Sequence, residues 1–132
     1  MIAASITNLA GSSEWFDCGF VTYSNNAKMQ LLGVSSATLE ASGAVSSETV
    51  SEMALGAVRR SDATVACAVS GVAGPGGGSA EKPLGTVWIA WAGQAGVRQQ
   101  HFLFPGNRNK IRQHTVDEAL RGLIECIKSV AN

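Results

Sequence analysis

A serine, a tyrosine and a lysine near the start of the chain have the side chains needed to attack a carbonyl group. Ser13 follows a Gly-Ser turn, Tyr23 ends an aromatic and β-branched stretch, and Lys28 lies early in the helical segment that comes next. A serine hydroxyl needs a neighbouring base, and lysine is such a base only when burial lowers its pKa towards neutrality. These residues predict a Ser/Lys pair that Tyr23 orients, if the chain folds back to join them. The alternative is that all three are structural residues.

A glycine-rich loop, residues 71–85, follows an apolar run of strand length. Glycines allow backbone N–H groups to approach an anion closely, and successive N–H groups form phosphate-binding nests. The loop matches neither the Walker pattern nor the dinucleotide fingerprint. It is therefore either a phosphate-binding loop, with Gly74, Gly76, Gly77 and Gly78 as its contacts, or a flexible surface loop.

Three cations lie at the start of the last predicted helix, directly after Pro105-Gly106-Asn107. They are Arg108, Lys110 and Arg112. The helix dipole disfavours positive charge at this end, and such a local conflict is typical of a functional site. A phosphate or carboxylate bound by the helix end and an arginine would remove the conflict. The alternative is a solvated basic face.

The elements that must position these residues alternate between helix and strand. Apolar spacing predicts helices over residues 2–9, 27–32, 35–40, 48–60 and 108–130, and strands over residues 15–23, 63–69, 86–92 and 97–104. The run 63–69 has the pattern of a strand buried on both faces. This order predicts a single α/β domain over residues 1–132, a three-layer α/β/α sandwich with a mixed, mostly parallel sheet. Ligands of such folds bind at the carboxyl ends of the strands.

The charge of the chain excludes some classes of partner. Lysine plus arginine equals aspartate plus glutamate, at 10 each, so no long-range field favours nucleic acid or an acidic membrane. Only 15% of residues are charged, below the roughly 25% of soluble domains. This suggests a surface covered by another subunit, although abundant Gly, Ser and Ala would also lower the charged fraction. No metal site is expected, since His and Cys are few and scattered. The three separate cysteines and the lack of a signal peptide predict a cytoplasmic protein.

Several segments together resemble the CinA C-terminal domain family. They are Gly11-Ser12-Ser13, GFVTYSNNAK, GAVS, and SGVAGPGGG followed by EKPLGTVW. The resemblance runs over nearly the whole chain in the family's order. It implies hydrolysis of the carboxamide of nicotinamide mononucleotide to nicotinate mononucleotide and ammonia. It also implies that no cofactor is needed and that the protein is a homodimer or a larger homo-oligomer.

The resemblance also implies a role for each matching residue. Ser13 would be the nucleophile, Lys28 its general base and Tyr23 the assisting hydroxyl. Ser70, where the family often has threonine, would donate a hydrogen bond near the developing oxyanion. The nucleotide phosphate would be bound by Gly74, Gly76, Gly77, Gly78, Arg108 and Arg112.

The chain departs from the family pattern at its start. Members normally begin earlier, with a strand and the front of a helix that carries a Glu-Ser-Cys-Thr-Gly-Gly motif. We expect this chain to lack that strand and the start of the first helix, because of a misplaced start codon, because it is a fragment, or because it is a truncated product with impaired activity. A second function therefore stays open: a non-catalytic nucleotide-binding or competence- and DNA-damage-associated regulatory module.

Overall fold

The computed structural model describes residues 1–131, and all five predicted helices are present in it. The helices are α1 (Ile2–Thr7), α2 (Asn25–Leu32), α3 (Ser36–Ser42), α4 (Ser47–Arg59) and α5 (Arg108–Ala131), with one 3₁₀ turn at Ser12–Glu14. The strands are β1 (Ala66–Gly71), β2 (Thr86–Gly93) and β3 (Gly96–Leu103). No helix in this part of the chain is long and apolar enough to span a bilayer.

Side-chain caps explain where most of the helices start. The hydroxyls of Ser24, Ser35 and Ser46 accept hydrogen bonds from backbone amides in the first turns of α2, α3 and α4, at 3.0, 3.2 and 3.1 Å. The Asn107 side chain does the same for α5, accepting from the Lys110 amide at 3.0 Å. Each cap stabilises its helix by about 1 kcal/mol, because it satisfies an amide that has no partner within the helix.

The sheet has the order β1-β2-β3, and both pairs of strands are antiparallel. The α/β class is confirmed, but the expectation of a mostly parallel sheet is not met among the described strands. The reason lies in the connections. Only Gln94 and Ala95 separate the paired residues Gly93 and Gly96, and the loop from β1 to β2 contains no helix. A parallel pair needs a longer crossover, usually a helix.

Helices cover both faces of the sheet, so the predicted three layers are present. On β2, Val87, Ile89 and Trp91 pack in a cluster with residues of α5, while Ala90 and Ala92 pack with residues of α2, α3 and α4 on the opposite face. The Trp91 indole donates a hydrogen bond to the Ala119 carbonyl at 2.9 Å. Alternation along the strand therefore divides the core into two clusters, one on each face.

The predicted strand over residues 15–23 is wrong. This segment forms no ladder with any described strand, and the side chains of Trp15, Val21 and Tyr23 are 60%, 88% and 91% exposed. Aromatic and β-branched residues favour extended backbone, but a strand also needs a neighbour for its N–H and C=O groups. The local sequence pattern predicted the extended backbone, but it could not show whether a neighbouring strand is present.

Two predictions of burial also need correction. The strand predicted at residues 63–69 lies at Ala66–Gly71, on the edge of the described sheet, and most of its residues are only half-buried. The central strand β2 is the most buried one instead. The apolar spacing of α5 also predicts Ile124 and Ile127 on its inner stripe, but both are 53% exposed, while Leu123 and Cys126 pack against the core in that part of the helix.

Candidate active site

Lys28 is a buried lysine near the start of α2, with an exposed fraction of 5%. Its ammonium group donates hydrogen bonds to the carbonyl oxygens of Thr22, at 2.8 Å, and Tyr23, at 3.4 Å. No carboxylate among the described residues forms an ion pair with it. Burial therefore lowers the pKa of Lys28 from its usual value of 10.5. This is the environment that a lysine base requires.

The local sequence explains why Lys28 points inward. The cap at Ser24 begins α2, and Lys28 is followed one turn later by Leu32, which is also buried, so both lie on the inner face of the helix. Gly33, with φ of 71°, then ends α2. On α4, Gly56 lies so close to the Leu32 carbonyl that a side chain there would collide with it. This close approach of α2 and α4 determines the position of Lys28.

The side-chain hydroxyls of Ser13 and Tyr23 make no hydrogen bond to the Lys28 amine in the described chain. The Ser13 hydroxyl is exposed in the 3₁₀ turn, and it makes no hydrogen bond to Lys28 in the described chain. Tyr23 contacts Lys28 only through its backbone carbonyl, since its side chain extends into solvent. The structure thus shows the lysine of the predicted pair in a buried position, whereas the roles of the Ser13 and Tyr23 hydroxyls stay predictions.

One hydrogen bond joins two of the predicted phosphate-binding residues. Arg108 donates a hydrogen bond to the Gly74 carbonyl at 2.7 Å, which joins the start of α5 to the glycine-rich loop. Gly77 and Gly78 have φ angles of 82° and 90°, in the left-handed region that glycine adopts without strain. Gly76 is exposed in the same loop, and Arg112 is exposed one turn further along α5.

Ser70 lies on β1, half-buried and directly opposite Trp88 on β2, which is itself opposite His101 on β3. Directly opposite residues share one face of a sheet. On this face, a cleft of about 380 Å³ separates the strands from the start of α4. Its lining residues are Ser42, Val45, Ser46, Ser47, Glu48, Glu81, Lys82, Thr86, Trp88 and His101.

The chain matches the model of a known protein family over most of its length. The family model of the CinA C-terminal domain matches residues 1–127. The chain belongs to the CinA C-terminal domain family.

Relatives in this family include separate amidohydrolases and longer proteins. The chain is 54% identical over 134 residues to the nicotinamide-nucleotide amidohydrolase PncC of Enterobacter agglomerans, covering 98% of this chain and 80% of that protein. It is 49% identical over 125 residues to the Escherichia coli K12 protein of the same name, covering 92% of this chain and 74% of that one. A CinA-like protein of Akkermansia muciniphila is 48% identical, and the chain spans only 30% of its length.

Solved structures of the CinA superfamily have the same fold. The competence/damage inducible protein CihA of Agrobacterium tumefaciens superposes with a TM-score of 0.92 at 49% identity, over 95% of this chain and 77% of that one. The competence damage-inducible protein A of Klebsiella pneumoniae superposes with a TM-score of 0.91 at 36% identity, over 96% and 79%. The arrangement of helices and strands in this CinA domain is therefore that of its family.

The cysteines of this CinA domain do not form a nucleophilic site. Burial, followed by the nearby Cys126, raises the pKa of Cys67 to about 12, so Cys67 stays a thiol at neutral pH. Cys18 is exposed, although its apolar sequence neighbours predict a residue of the core. Its pKa is also raised, first by desolvation and then by Asp17. No group of three or more His, Cys, Asp or Glu side chains in residues 1–131 could bind a metal ion.

The cleft is the feature that sequence reasoning missed. The sequence patterns assign no binding role to Val45, Ser46 or His101, which line this cleft of the CinA domain. One signal was present: a two-residue hairpin between β2 and β3 sets the register that places Trp88 opposite His101. The contribution of α4 to the cleft depends on packing between distant elements, which no local pattern encodes.

Proposed function

We propose that this chain hydrolyses the carboxamide of nicotinamide mononucleotide to nicotinate mononucleotide and ammonia. The proposal is supported by two relatives named nicotinamide-nucleotide amidohydrolase, 54% and 49% identical to this chain, of which it covers 80% and 74%. The structural observation that carries it is the buried Lys28, whose pKa is lowered and which has no carboxylate partner in the described residues. A lowered pKa increases the neutral fraction of the amine, which is the form that takes a proton from a hydroxyl.

In the proposed reaction, a serine hydroxyl attacks the carboxamide carbon while the neutral amine of Lys28 takes its proton. The tetrahedral oxyanion accepts a hydrogen bond from the hydroxyl of Ser70. When the C–N bond breaks, Lys28 returns the proton to the departing nitrogen, and ammonia leaves an acyl ester on the serine. Water then attacks the ester with the same base, which releases nicotinate mononucleotide and restores the serine hydroxyl.

We propose Ser13 as the nucleophile, with Tyr23 as the assisting hydroxyl. Both side chains are exposed, and no hydrogen bond within the described chain holds the Ser13 hydroxyl in place. The 3₁₀ turn carries the first hydroxyl, and the extended segment after it carries the second. Neither segment is held by a sheet ladder.

We propose that the phosphate binds between the glycine-rich loop and the start of α5. Arg108 already contacts Gly74, so the guanidinium lies beside the loop whose N–H groups would share the anion. Gly76, Gly77, Gly78 and Arg112 complete the proposed phosphate contacts. No metal ion or cofactor takes part in this scheme.

We further propose that the domain works in the cytoplasm as a homodimer or larger homo-oligomer, without binding nucleic acid or membranes. Its three free cysteines fit a reducing compartment, and its zero net charge gives no attraction to polyanions. The exposed apolar side chains of residues 15–23 are the surface that a second copy would cover. Light scattering of the purified chain tests the subunit number.

The function is tested by ammonia release from nicotinamide mononucleotide. We expect Lys28→Met to lower the turnover about 10²- to 10⁴-fold, the range of a lost general base. Ser13→Ala should abolish acyl transfer, whereas Ser12→Ala is the neighbouring control. Activity that survives Ser13→Ala but not Lys28→Met would place the nucleophile on another residue. Nucleotide binding without any ammonia from the wild-type chain would support the non-catalytic regulatory module instead.

A further inference from the structure

The glycine-rich loop is closed at its neck by two backbone hydrogen bonds. The Val72 amide donates to the Thr86 carbonyl at 2.8 Å, and the Gly85 amide donates to the Val72 carbonyl at 2.7 Å. These bonds lie where the chain leaves β1 and enters β2. The neck is therefore fixed by the sheet, whereas the position of the loop tip depends on other contacts.

The returning limb of the loop, residues 79–85, supports the glycines that precede it. A Cβ added at Gly78 would lie 3.1 Å from the Leu84 amide nitrogen and 3.4 Å from the Lys82 carbonyl oxygen. A Cβ added at Gly74 would lie 3.0 Å from the Leu84 side chain. Both glycines thus lie against residues 82–84, so a shift of the returning limb would move the proposed phosphate contacts with it.

Lys82 joins the returning limb to the corner between α3 and α4. Its ammonium group donates a hydrogen bond to the Ser42 carbonyl at 2.8 Å, a partly buried contact between residues 40 positions apart. The corner itself is well held, because the next carbonyl, that of Gly43, accepts from the hydroxyls of Ser46, at 2.9 Å, and Thr49, at 2.7 Å. The Lys82 side chain therefore connects the loop to a fixed point.

A tight turn directs Lys82 towards this corner. The Ser79 hydroxyl accepts a hydrogen bond from the Lys82 amide at 3.0 Å, and the Ser79 amide donates to the Lys82 carbonyl at 2.9 Å. At the other end of the tip, Arg108 of α5 donates to the Gly74 carbonyl at 2.7 Å. Two cations, one on each side, thus hold the segment from Gly74 to Lys82 in place.

We propose that Lys82 is a positioning residue that gives this domain its preference for a phosphorylated ligand. Its bond to Ser42 keeps the glycine-rich loop in one conformation, in which the N–H groups of residues 76–78 are ready for an anion. The identity of the ligand rests on the proposed function. A loop that is already ordered loses less conformational entropy when the ligand binds. A hydrogen bond from a charged donor changes such an equilibrium by about tenfold or more.

Backbone order parameters test the positioning role without any ligand. In NMR relaxation of the ligand-free chain, the amides of residues 76–78 should have order parameters near about 0.85, and Lys82→Met should lower them below about 0.6. Lys82→Arg keeps a charged donor and should keep most of the order, while Ser79→Ala should lose part of it. Glu81→Gln changes the exposed neighbour of Lys82 and should have no effect. Unchanged order parameters in a Lys82→Met protein that circular dichroism shows to be folded would overturn the inference.

The preference for phosphate is measured with a matched pair of ligands. Nicotinamide riboside has the same ring, carboxamide and sugar as nicotinamide mononucleotide but lacks the phosphate. Both are titrated by calorimetry in the Lys28→Ala background, which stops turnover. Lys82→Met should weaken binding of the nucleotide about tenfold and change that of the riboside little, and Lys82→Arg should restore most of the difference. A lost preference with unchanged order parameters would make Lys82 a direct phosphate contact and overturn its positioning role.

Ammonia release from the variants with Lys28 intact separates this inference from the amidase function. In Lys82→Met the KM for the nucleotide should rise about tenfold, with a smaller effect on kcat. If KM is unchanged while ammonia is released, the amidase function stands and the role of Lys82 is wrong. If the wild-type chain releases no ammonia but Lys82→Met lowers both the order parameters and the preference for the nucleotide, the role of Lys82 stands and the amidase function is wrong.

Discussion

The contact between α2 and α4 at Gly56 leads to the prediction that best tests how the fold positions Lys28. In Gly56→Ala, the added methyl group would overlap the Leu32 carbonyl, well inside the ordinary contact range of 3.4–4 Å. The Leu32 carbonyl is backbone, so it cannot rotate away as a flexible side chain does. The two helices must therefore separate by about 1 Å, and Lys28, one turn from Leu32, moves with α2.

The expected effect on turnover is larger than the effect on stability. Overpacking costs about 1–3 kcal/mol, while alanine in place of glycine within a helix stabilises by about 1 kcal/mol. The free energy of unfolding should then fall by about 0–2 kcal/mol. Each kcal/mol lowers Tm by about 4 °C for a chain of this size. A displacement of about 1 Å in a catalytic group can lower turnover about 100-fold. Gly56→Ala should thus stay folded and lose most of its activity.

The measurement is ammonia release alongside thermal and urea unfolding. Gly19→Ala is the matched control, because an added Cβ there would lie 3.6 Å from the Ala3 side chain, an ordinary contact. Gly19→Ala should keep both its stability and its activity. Full turnover in a folded Gly56→Ala protein would show that this helix contact does not position the base.

Three further predictions concern titration, capping and thiol reactivity. Turnover should rise with pH through the pKa of Lys28, below 10.5, as the amine becomes neutral. Between that pKa and 10.5 the unfolded chain binds more protons than the folded chain, so the free energy of unfolding should rise with pH. Urea titrations of Lys28→Met should lack this rise. Ser46→Ala should lower the free energy of unfolding in urea by about 1–2 kcal/mol, because the Ser46 hydroxyl caps α4 and also donates to the Gly43 carbonyl at 2.9 Å. Ser35→Ala, which removes an exposed cap, should lower it less. In the native protein at pH 8, Cys67 should resist a thiol reagent, whereas the exposed Cys18 should react. Rapid labelling of Cys67, detected by mass spectrometry, would contradict its burial.

Features that depend only on neighbouring residues follow from the sequence. Ser24, Ser46 and Asn107 cap helices that start close to the predicted positions, because a cap needs only the amides of the next turn. The hairpin between β2 and β3 follows from the short turn between two apolar runs. The sequence also contained the segments that resemble the CinA family, and the family match over residues 1–127 confirms that resemblance.

Contacts between residues that are far apart in the chain depend on the tertiary structure. The aromatic stretch at residues 15–23 has the composition of a strand, but it has no neighbour in the described sheet and therefore forms no ladder. Burial in the folded chain lowers the pKa of Lys28, and the cleft exists because the start of α4 faces Trp88 and His101. Burial, pKa and pocket shape arise from contacts between residues far apart in the chain, so local residue patterns do not specify them.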